Sequence, residues 1–315
     1  MTTIRDIAEK SGYSISTISR ALNHSGYVSA TAQAKIKAIV KELNYVPNAI
    51  AQDLSAGSTH NIGVVLPDVN HPFYTQLIKG MLDAAFDSEY HVTFLPSAYD
   101  QELERHYLEQ LRRKVYDGLI FTSRALALSE LATYLQFGPV VVCEDPGSIK
   151  IPAVFSYRES AYQAAFAYLK KKGARHIAFT FSRPEPISAT SKAVMRAYLK
   201  YYCVPADQRN IVAYVNTYQE GYDAAQQFVR DNVAIDYLFA NSDDVATGAR
   251  QYYLDHGLPV PGLVGQEHQV SSMLLNIPTI DHHLDVVGRE AFRMVTAQHL
   301  ATTRLAVQSD FILRQ

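Results

Sequence analysis

The chain is poor in cysteine: 315 residues carry only Cys143 and Cys203. Two thiols exclude a disulfide-stapled scaffold. Both read as free buried thiols, one in a strand-like segment and one at a helix end, which suits a reducing cytoplasm. Long apolar runs are absent as well, so no membrane span is expected. The N-terminus opens directly on an amphipathic pattern rather than a secretion signal. Enzyme signatures are missing: there is no Gly-x-Gly-x-x-Gly, phosphate-binding loop, His-Glu-x-x-His or nucleophile elbow. No catalytic residue, cofactor or metal site is therefore expected. Asp281-His282-His283 with Glu267 imitates a metal cluster, but adjacent histidines on an extended chain point to opposite sides. What remains is ordinary globular composition, 48% hydrophobic and 19% charged, long enough for a small head and a large body.

The informative segment is Thr3 to Asn23. Ile4, Ile7 and Ala8 fall at i, i+3, i+4 and make one apolar helical stripe. Thr3 and Asp6 have capping-box spacing, with Asp in place of the usual Glu or Gln. Gly12 supplies a turn, and Ser14 is a good N-cap for a second helix. At about 100° per residue Ile18, Ala21 and Leu22 cluster on one face of that helix. Ser16 and Arg20 lie opposite, flanked by Thr17 and Ser19, with Ile15 at the N-terminal tip. Two short helices joined by a tight turn are the layout of a helix-turn-helix. An outward face of hydroxyls, one arginine and one apolar tip suits a DNA groove: hydroxyls for phosphate, Arg for phosphate or guanine, Ile for a thymine methyl. A solvated helical hairpin would share the Ser/Thr-rich face.

A third helix is expected over residues 32–44, with Ile36, Ile39, Val40 and Leu43 inward and Lys35, Lys37 and Lys41 outward. Pro47 stops it. Asn48 can cap a further short helix that Gly57 ends, and fewer than ten residues are marginal as an isolated helix. Residues 1–58 carry six Lys and Arg against four Asp and Glu, whereas the rest carries 23 against 27. A weakly basic head on an acidic body fits DNA contact at one end.

Residues 3–54 resemble the headpiece of the LacI/GalR-type (lactose-repressor) family of bacterial transcription factors. The matching pieces are Ser14-Ile15-Ser16-Thr17-Ile18-Ser19-Arg20-Ala21-Leu22-Asn23, Leu43-Asn44-Tyr45-Val46-Pro47-Asn48-Ala49-Ile50-Ala51 and Leu54. The resemblance implies that Ile15, Ser16 and Arg20 read bases and that Ser14, Thr17, Ser19 and Asn23 touch the DNA backbone. It further implies a hinge helix carrying Asn48, Ala51 and Leu54 into the minor groove of a near-palindromic operator bound by a homodimer. Leu54 would be a wedge that opens a base step. Read alone, Leu54 is a packing residue of a short helix.

From residue 59 short β-branched runs alternate with amphipathic stretches, as in 61–67, 91–95, 118–121, 140–143, 177–180, 211–214, 237–240 and 263–265. Strands spaced by helices argue βαβ units and parallel sheets, and some ten strands argue two sheets. The fold class is thus α/β: a helix-turn-helix headpiece (1–58, hinge helix about 48–56) plus a two-lobed core (59–315). The body also resembles the family, with two Rossmann-like lobes as in periplasmic sugar-binding proteins. Pro67-Asp68-Val69-Asn70-His71-Pro72-Phe73-Tyr74, Val115-Tyr116-Asp117-Gly118-Leu119-Ile120 and Asn241-Ser242-Asp243-Asp244-Val245-Ala246-Thr247-Gly248 are matching segments. Lobe one is expected over about 59–156 plus 284–303, and lobe two over about 157–283 plus 304–315.

Fold logic places a ligand at the carboxyl ends of the strands, between lobes. Candidates there are His71, Phe73, Tyr74, Glu144, Asp243, Glu267 and His282. Carboxylates suit sugar hydroxyls, and an aromatic ring suits the apolar sugar face. Each has a plainer reading: Phe73 as helix core, Asp243 as an N-cap, His282 as a surface histidine. Relative to the family, Val194 replaces an Arg that grips sugar hydroxyls, Ser156 replaces an Asp, Glu144 and Glu267 stand for Asp, and His282-His283 replaces Gln-Pro. Lys192 or Arg196 could substitute for the lost arginine, which would suit an acidic or phosphorylated ligand. The expected function is a cytoplasmic, sequence-specific DNA-binding regulator, a repressor of carbohydrate-utilisation genes under a small carbohydrate-like effector. The alternatives are a sugar-binding protein that does not act on DNA, or a regulator governed by a partner protein.

Overall fold

In the computed structural model the described residues are 2–23, 25–46, 57–69, 72–297 and 303–314. They form two compact units, Met1–His60 and Asn61–Gln315.

The first unit holds α1 (Ile4–Ser11), α2 (Ile15–Asn23) and α3 (Ala30–Glu42). The Asp6 carboxylate accepts hydrogen bonds from the Thr3 backbone N–H and hydroxyl, which holds its pKa below the ordinary carboxylate value. Gly12 takes the left-handed conformation (φ 74°) and its N–H closes α1 on the Ala8 carbonyl, a position that needs glycine. The Ser14 hydroxyl accepts from the Thr17 N–H and caps α2. Ile7, Ile18, Ala21, Ile36 and Ile39 form the buried cluster that all three helices share. Lys35, Lys37 and Lys41 point to solvent. The third helix begins two residues before the expected start, because Ser29 caps it by accepting from the Ala32 N–H.

The second unit begins with lobe one: β1 (Asn61–Leu66), α4 (Pro72–Phe86), β2 (His91–Pro96), α5 (Gln101–Arg112), β3 (Gly118–Phe121), α6 (Leu128–Thr133), β4 (Val140–Val142) and β5 (Ala153–Tyr157). Lobe two follows: α7 (Glu159–Lys171), β6 (Ile177–Phe181), α8 (Ala189–Tyr202), β7 (Ile211–Ala213), α9 (Tyr218–Arg230), β8 (Tyr237–Phe239), α10 (Asp243–Asp255), β9 (Gly262–Gln266), α11 (Val270–Leu274) and β10 (Thr279–Asp281). Then α12 (Leu284–Thr296) packs back onto α4. The chain ends with β11 (Arg304–Gln308) and β12 (Asp310–Ile312).

The sheet of lobe one runs β2-β1-β3-β4-β5-β11 and is parallel throughout. The sheet of lobe two runs β7-β6-β8-β9-β10-β12, with only β12 antiparallel. Central strands are buried end to end, as β3, β4 and β6 show, because helices cover both faces of a parallel sheet. The chain passes between lobes at 157–159, 281–284 and 308–310. This corrects one expected boundary: residues 304–308 pair with β5 and extend lobe one, so only the last strand belongs to lobe two.

Helices α4 and α12 meet through two glycines. A Cβ on Gly80 would overlap the Asp285 carbonyl, and one on Gly288 would overlap the Leu77 carbonyl. The lobe-one core (Val64, Leu77, Met81, Val287, Ala291 and Phe292 among others) closes over this contact. Gly80→Ala is expected to destabilise the second unit by about 1–3 kcal/mol through overpacking against backbone. Unchanged thermal unfolding would show that the helices separate freely.

Both cysteines are free. Cys143 is buried, and burial with the nearby Glu144 pushes its thiol up to about 12. Cys203 is exposed, contrary to the sequence expectation. It ends α8 in the left-handed conformation, with its N–H on the Leu199 carbonyl, so its side chain leaves the helix's packed face.

Candidate functional site

On α2, Ser14, Ile15, Ser16, Arg20 and Asn23 are exposed, whereas Thr17 and Ser19 are half-buried. Ile18 and Ala21 on the opposite face are buried. Ile15 is 46% exposed although apolar. The hydroxyls are ordered locally: Ser14 Oγ lies 2.8 Å from Ser16 Oγ and 2.9 Å from Thr17 Oγ1. Asn23 donates to the Ser19 hydroxyl. Arg20 has no ion-pair partner among the described residues. This presents an apolar tip, several hydroxyls and one unneutralised cation, the chemistry that a groove can use. Asn48, Ala51 and Leu54, expected on a hinge helix, lie outside the described residues, as does His71.

The second site lies at the carboxyl ends of the strands in the two-lobed unit. On the lobe-one side, Phe73 is half-buried and stands edge-on to Tyr74, with ring centroids 5.0 Å apart. Tyr74 is buried, and its hydroxyl meets the Tyr99 hydroxyl at 3.0 Å. Burial and the Tyr99 neighbour raise its phenol well above the usual value. The Ser123 hydroxyl donates to Tyr99 at 3.3 Å. Glu144 is held by Arg124 in a two-pronged pair, Nε to Oε1 at 2.5 Å and Nη2 to Oε2 at 3.1 Å. A carboxylate so occupied is already neutralised.

On the lobe-two side Asp243 is 0% exposed. Its Oδ1 accepts from the Thr279 hydroxyl at 2.7 Å and its Oδ2 from the Gln269 N–H at 2.7 Å. Glu267 and His268 both have positive φ, and that double left-handed turn carries the Gln269 N–H to the carboxylate. Burial lifts the Asp243 pKa to about 6, against the hydrogen bonds that lower it. Glu267 is buried and pushed well up, by burial first and then by Asp243 and Asp244. Its Oε2 accepts from Gln269 Nε2 at 2.6 Å, and its backbone carbonyl accepts from Gln76 of α4 at 2.7 Å, a bond between the lobes.

His282 is buried rather than at the surface. The Gln266 amide donates to the Ala240 carbonyl, which turns its Oε1 toward Tyr162 and His282. Oε1 then accepts from the Tyr162 hydroxyl and from His282 Nε2–H, and His282 Nδ1 accepts from the Ser309 hydroxyl. Burial first, then Arg158 and His283, lowers the His282 pKa well below normal, so the neutral ring fits this chain of donors and acceptors.

Phe73 and Tyr74 thus stand at the start of α4, where lobe one meets lobe-two residues. Asp243 and His282 are tied by hydrogen bonds within the unit. Lys192 and Arg196 are exposed on α8, whereas Val194 is buried. Sequence reasoning missed two cations that lie over aromatic rings of lobe one. The Arg158 guanidinium lies over the Phe73 ring at 5.7 Å and donates through Nη1 to the Thr190 hydroxyl. That of Arg183 lies over the Tyr99 ring at 4.5 Å. Arg158 directly follows β5 and Arg183 stands two residues after β6, and those positions at carboxyl ends of strands were the available signal.

Two sequence profiles match the chain. The one described as "Bacterial regulatory proteins, lacI family" matches residues 3–48, and "Periplasmic binding proteins and sugar binding domain of LacI family" matches residues 59–314. Catabolite control protein B of Bacillus subtilis (strain 168) is 37% identical over 294 residues, 93% of this chain and 94% of that protein. The ribose operon repressor of Halalkalibacterium halodurans is 29% identical over 326 residues, 100% of this chain and 97% of that protein. Among solved structures, the lac repressor dimer bound to operator and the anti-inducer ONPF has a TM-score of 0.78 at 19% identity, covering 99% and 98% of the two chains. That degree of identity speaks for the fold alone.

Proposed function

Since the chain belongs to the LacI family of bacterial regulatory proteins, we propose that it is a homodimeric repressor that reads a near-palindromic operator and is controlled by a small effector in the inter-lobe cleft. Its relatives are transcription regulators, and DNA-dependent regulation rather than catalysis is its activity. Among the described residues no helix is long and apolar enough to cross a membrane, in keeping with work on DNA in the cytoplasm.

The observation that carries the reading is the division of α2. Ile18 and Ala21 anchor it, and Ser14, Ile15, Ser16, Arg20 and Asn23 face outward together. Residues 1–58 serve as the reader and hinge, and residues 59–315 as the effector-binding and dimerising body. A homodimer places two such readers on half-sites related by the operator's two-fold axis. An effector that prefers one relative position of the lobes shifts the DNA-competent population by its differential affinity and no more.

The test is selection of bound duplexes from random DNA, followed by affinity measurements across salt. A steep fall of affinity with salt and a two-fold symmetric consensus are expected. No consensus would overturn the reading. Arg20→Ala is expected to weaken operator binding by about 1–3 kcal/mol if the guanidinium forks onto a guanine. An equal loss on every duplex would make it a phosphate contact. Leu54→Ala is expected to weaken specific binding and leave dimerisation intact, because a wedge acts only on the bent duplex. Unaltered operator affinity would remove the wedge assignment.

A further inference from the structure

Arg158 and Arg183 approach the same turn of chain from two sides. Arg158 Nη1 donates to the Thr190 hydroxyl in the first turn of α8. The next residue, Ser191, donates its hydroxyl to the Arg183 backbone carbonyl at 2.8 Å. Across the cleft the aromatic pair Phe73 and Tyr74 continues the link: Phe73 lies under Arg158, and Tyr74 bonds to Tyr99 under Arg183. Both guanidiniums are half-buried and, among the described residues, neither has an ion-pair partner. Arg158 Nε is buried without a hydrogen-bond acceptor.

Among the described residues no carboxylate forms a close ion pair with either guanidinium. Glu144 is taken by Arg124. Asp243 is fully buried, with both oxygens occupied inside lobe two. Glu267 is raised by burial first and then by Asp243 and Asp244, while Arg158 pulls it the other way without closing an ion pair. Two half-buried cations at one cleft, one with an orphaned donor, are costly until an anion meets them. A guanidinium over an aromatic ring face retains N–H groups that can fork onto an oxyanion.

We propose that the cleft takes an anionic, sugar-sized polyol whose phosphate or carboxylate is held by Arg158 and Arg183. This rests on the effector-controlled reading above and adds the charge class of the effector. A neutral polyol would satisfy single donors but leave both positive charges uncompensated.

Calorimetric titration of the full-length protein at fixed ionic strength tests it. The probes are ribose, glucose, ribose 5-phosphate, glucose 6-phosphate, glucuronate and inorganic phosphate. At least one charged polyol is expected to bind tenfold or more tightly than its neutral parent and than inorganic phosphate, and the sugar phosphates against glucuronate tell which acid is used. Arg158→Gln and Arg183→Gln are each expected to weaken that binding about ten- to a hundredfold, with Arg158→Lys retaining part of it. Circular dichroism and ligand-free operator affinity monitor folding of each variant. Equal binding of neutral and charged sugars, binding unmoved in both glutamine variants, or binding by no probe overturns the proposal. Operator affinity measured alongside separates the two readings. A neutral sugar that binds and shifts operator affinity removes the anion but keeps effector control. An anion that binds through the arginines without shifting operator affinity keeps the anion site and removes effector control.

Discussion

Ile18→Ala is expected to abolish specific operator binding while leaving the unfolding of the two-lobed unit unchanged. Ile18 is 0% exposed and shares one small cluster with Ile7, Ala21, Ile36 and Ile39. Truncating a buried isoleucine costs about 2–5 kcal/mol, as lost transfer energy plus the cavity left behind. A helical unit of about 60 residues buries too little surface to have much stability in reserve, so a loss of that size removes most of it. The side chain does not face solvent, so lost DNA affinity reports unfolding rather than a missing contact. Calorimetry of the full chain should show the low-stability transition vanish and the main transition persist. Retained operator affinity would mean that the three helices hold together by other contacts, such as the Lys10–Glu42 ion pair and the Gln33 bond to the Ala21 carbonyl. Both are partly or fully exposed, and exposed pairs contribute little.

The headpiece was legible in the sequence because its determinants are local. A cap, a left-handed glycine and a 3.6-residue stripe act over four or five positions, and Thr3, Gly12, Ser14 and Ile18 do what their spacing implies. The alternation of strands and helices was legible for the same reason. The partnership of β11 was not. Its residues alternate between exposed and half-buried, and nothing local says which sheet edge it joins. The cleft was legible only in outline. Lys192 and Arg196 lie on the exposed side of α8, away from its buried phase of Ser191, Val194, Ala197 and Tyr198. Arg158 and Arg183 were visible as residues following strands, but only the meeting of the two lobes sets their rings beneath them. Asp243 did what an acidic residue at a strand end suggests, but for a partner inside its own lobe: the turn at Glu267 and His268 brings it the Gln269 N–H.

That burial makes Asp243→Asn the sharpest test of the lobe-two electrostatics. The carboxyl is raised from 3.8 to about 6, by burial first, so the folded protein holds its proton more tightly than the unfolded chain. A raised pKa gives stability that is complete below the unfolded value and lost as pH rises through the folded one. The window is therefore about pH 4 to 6, and a shift of about two units corresponds to roughly 3 kcal/mol. Asparagine has the same shape and no charge to bury. Whatever the substitution costs in hydrogen bonding to Thr279 and Gln269 is the same at every pH. The difference in stability between variant and parent should therefore move in the variant's favour by about 3 kcal/mol between pH 4 and pH 7. Glu267 adds to this in the same direction, because Asp243 is one of the charges that raise it. His282 titrates with the opposite sign, losing stability as pH falls below about 6.5, but it is present in both proteins and largely cancels in the difference. Urea unfolding at half-unit pH intervals gives the measurement. Parallel curves for parent and variant would mean that Asp243 ionises as readily as in the unfolded chain, and its enclosure by Thr279, Gln269 and Gly265 would then be open to water in solution.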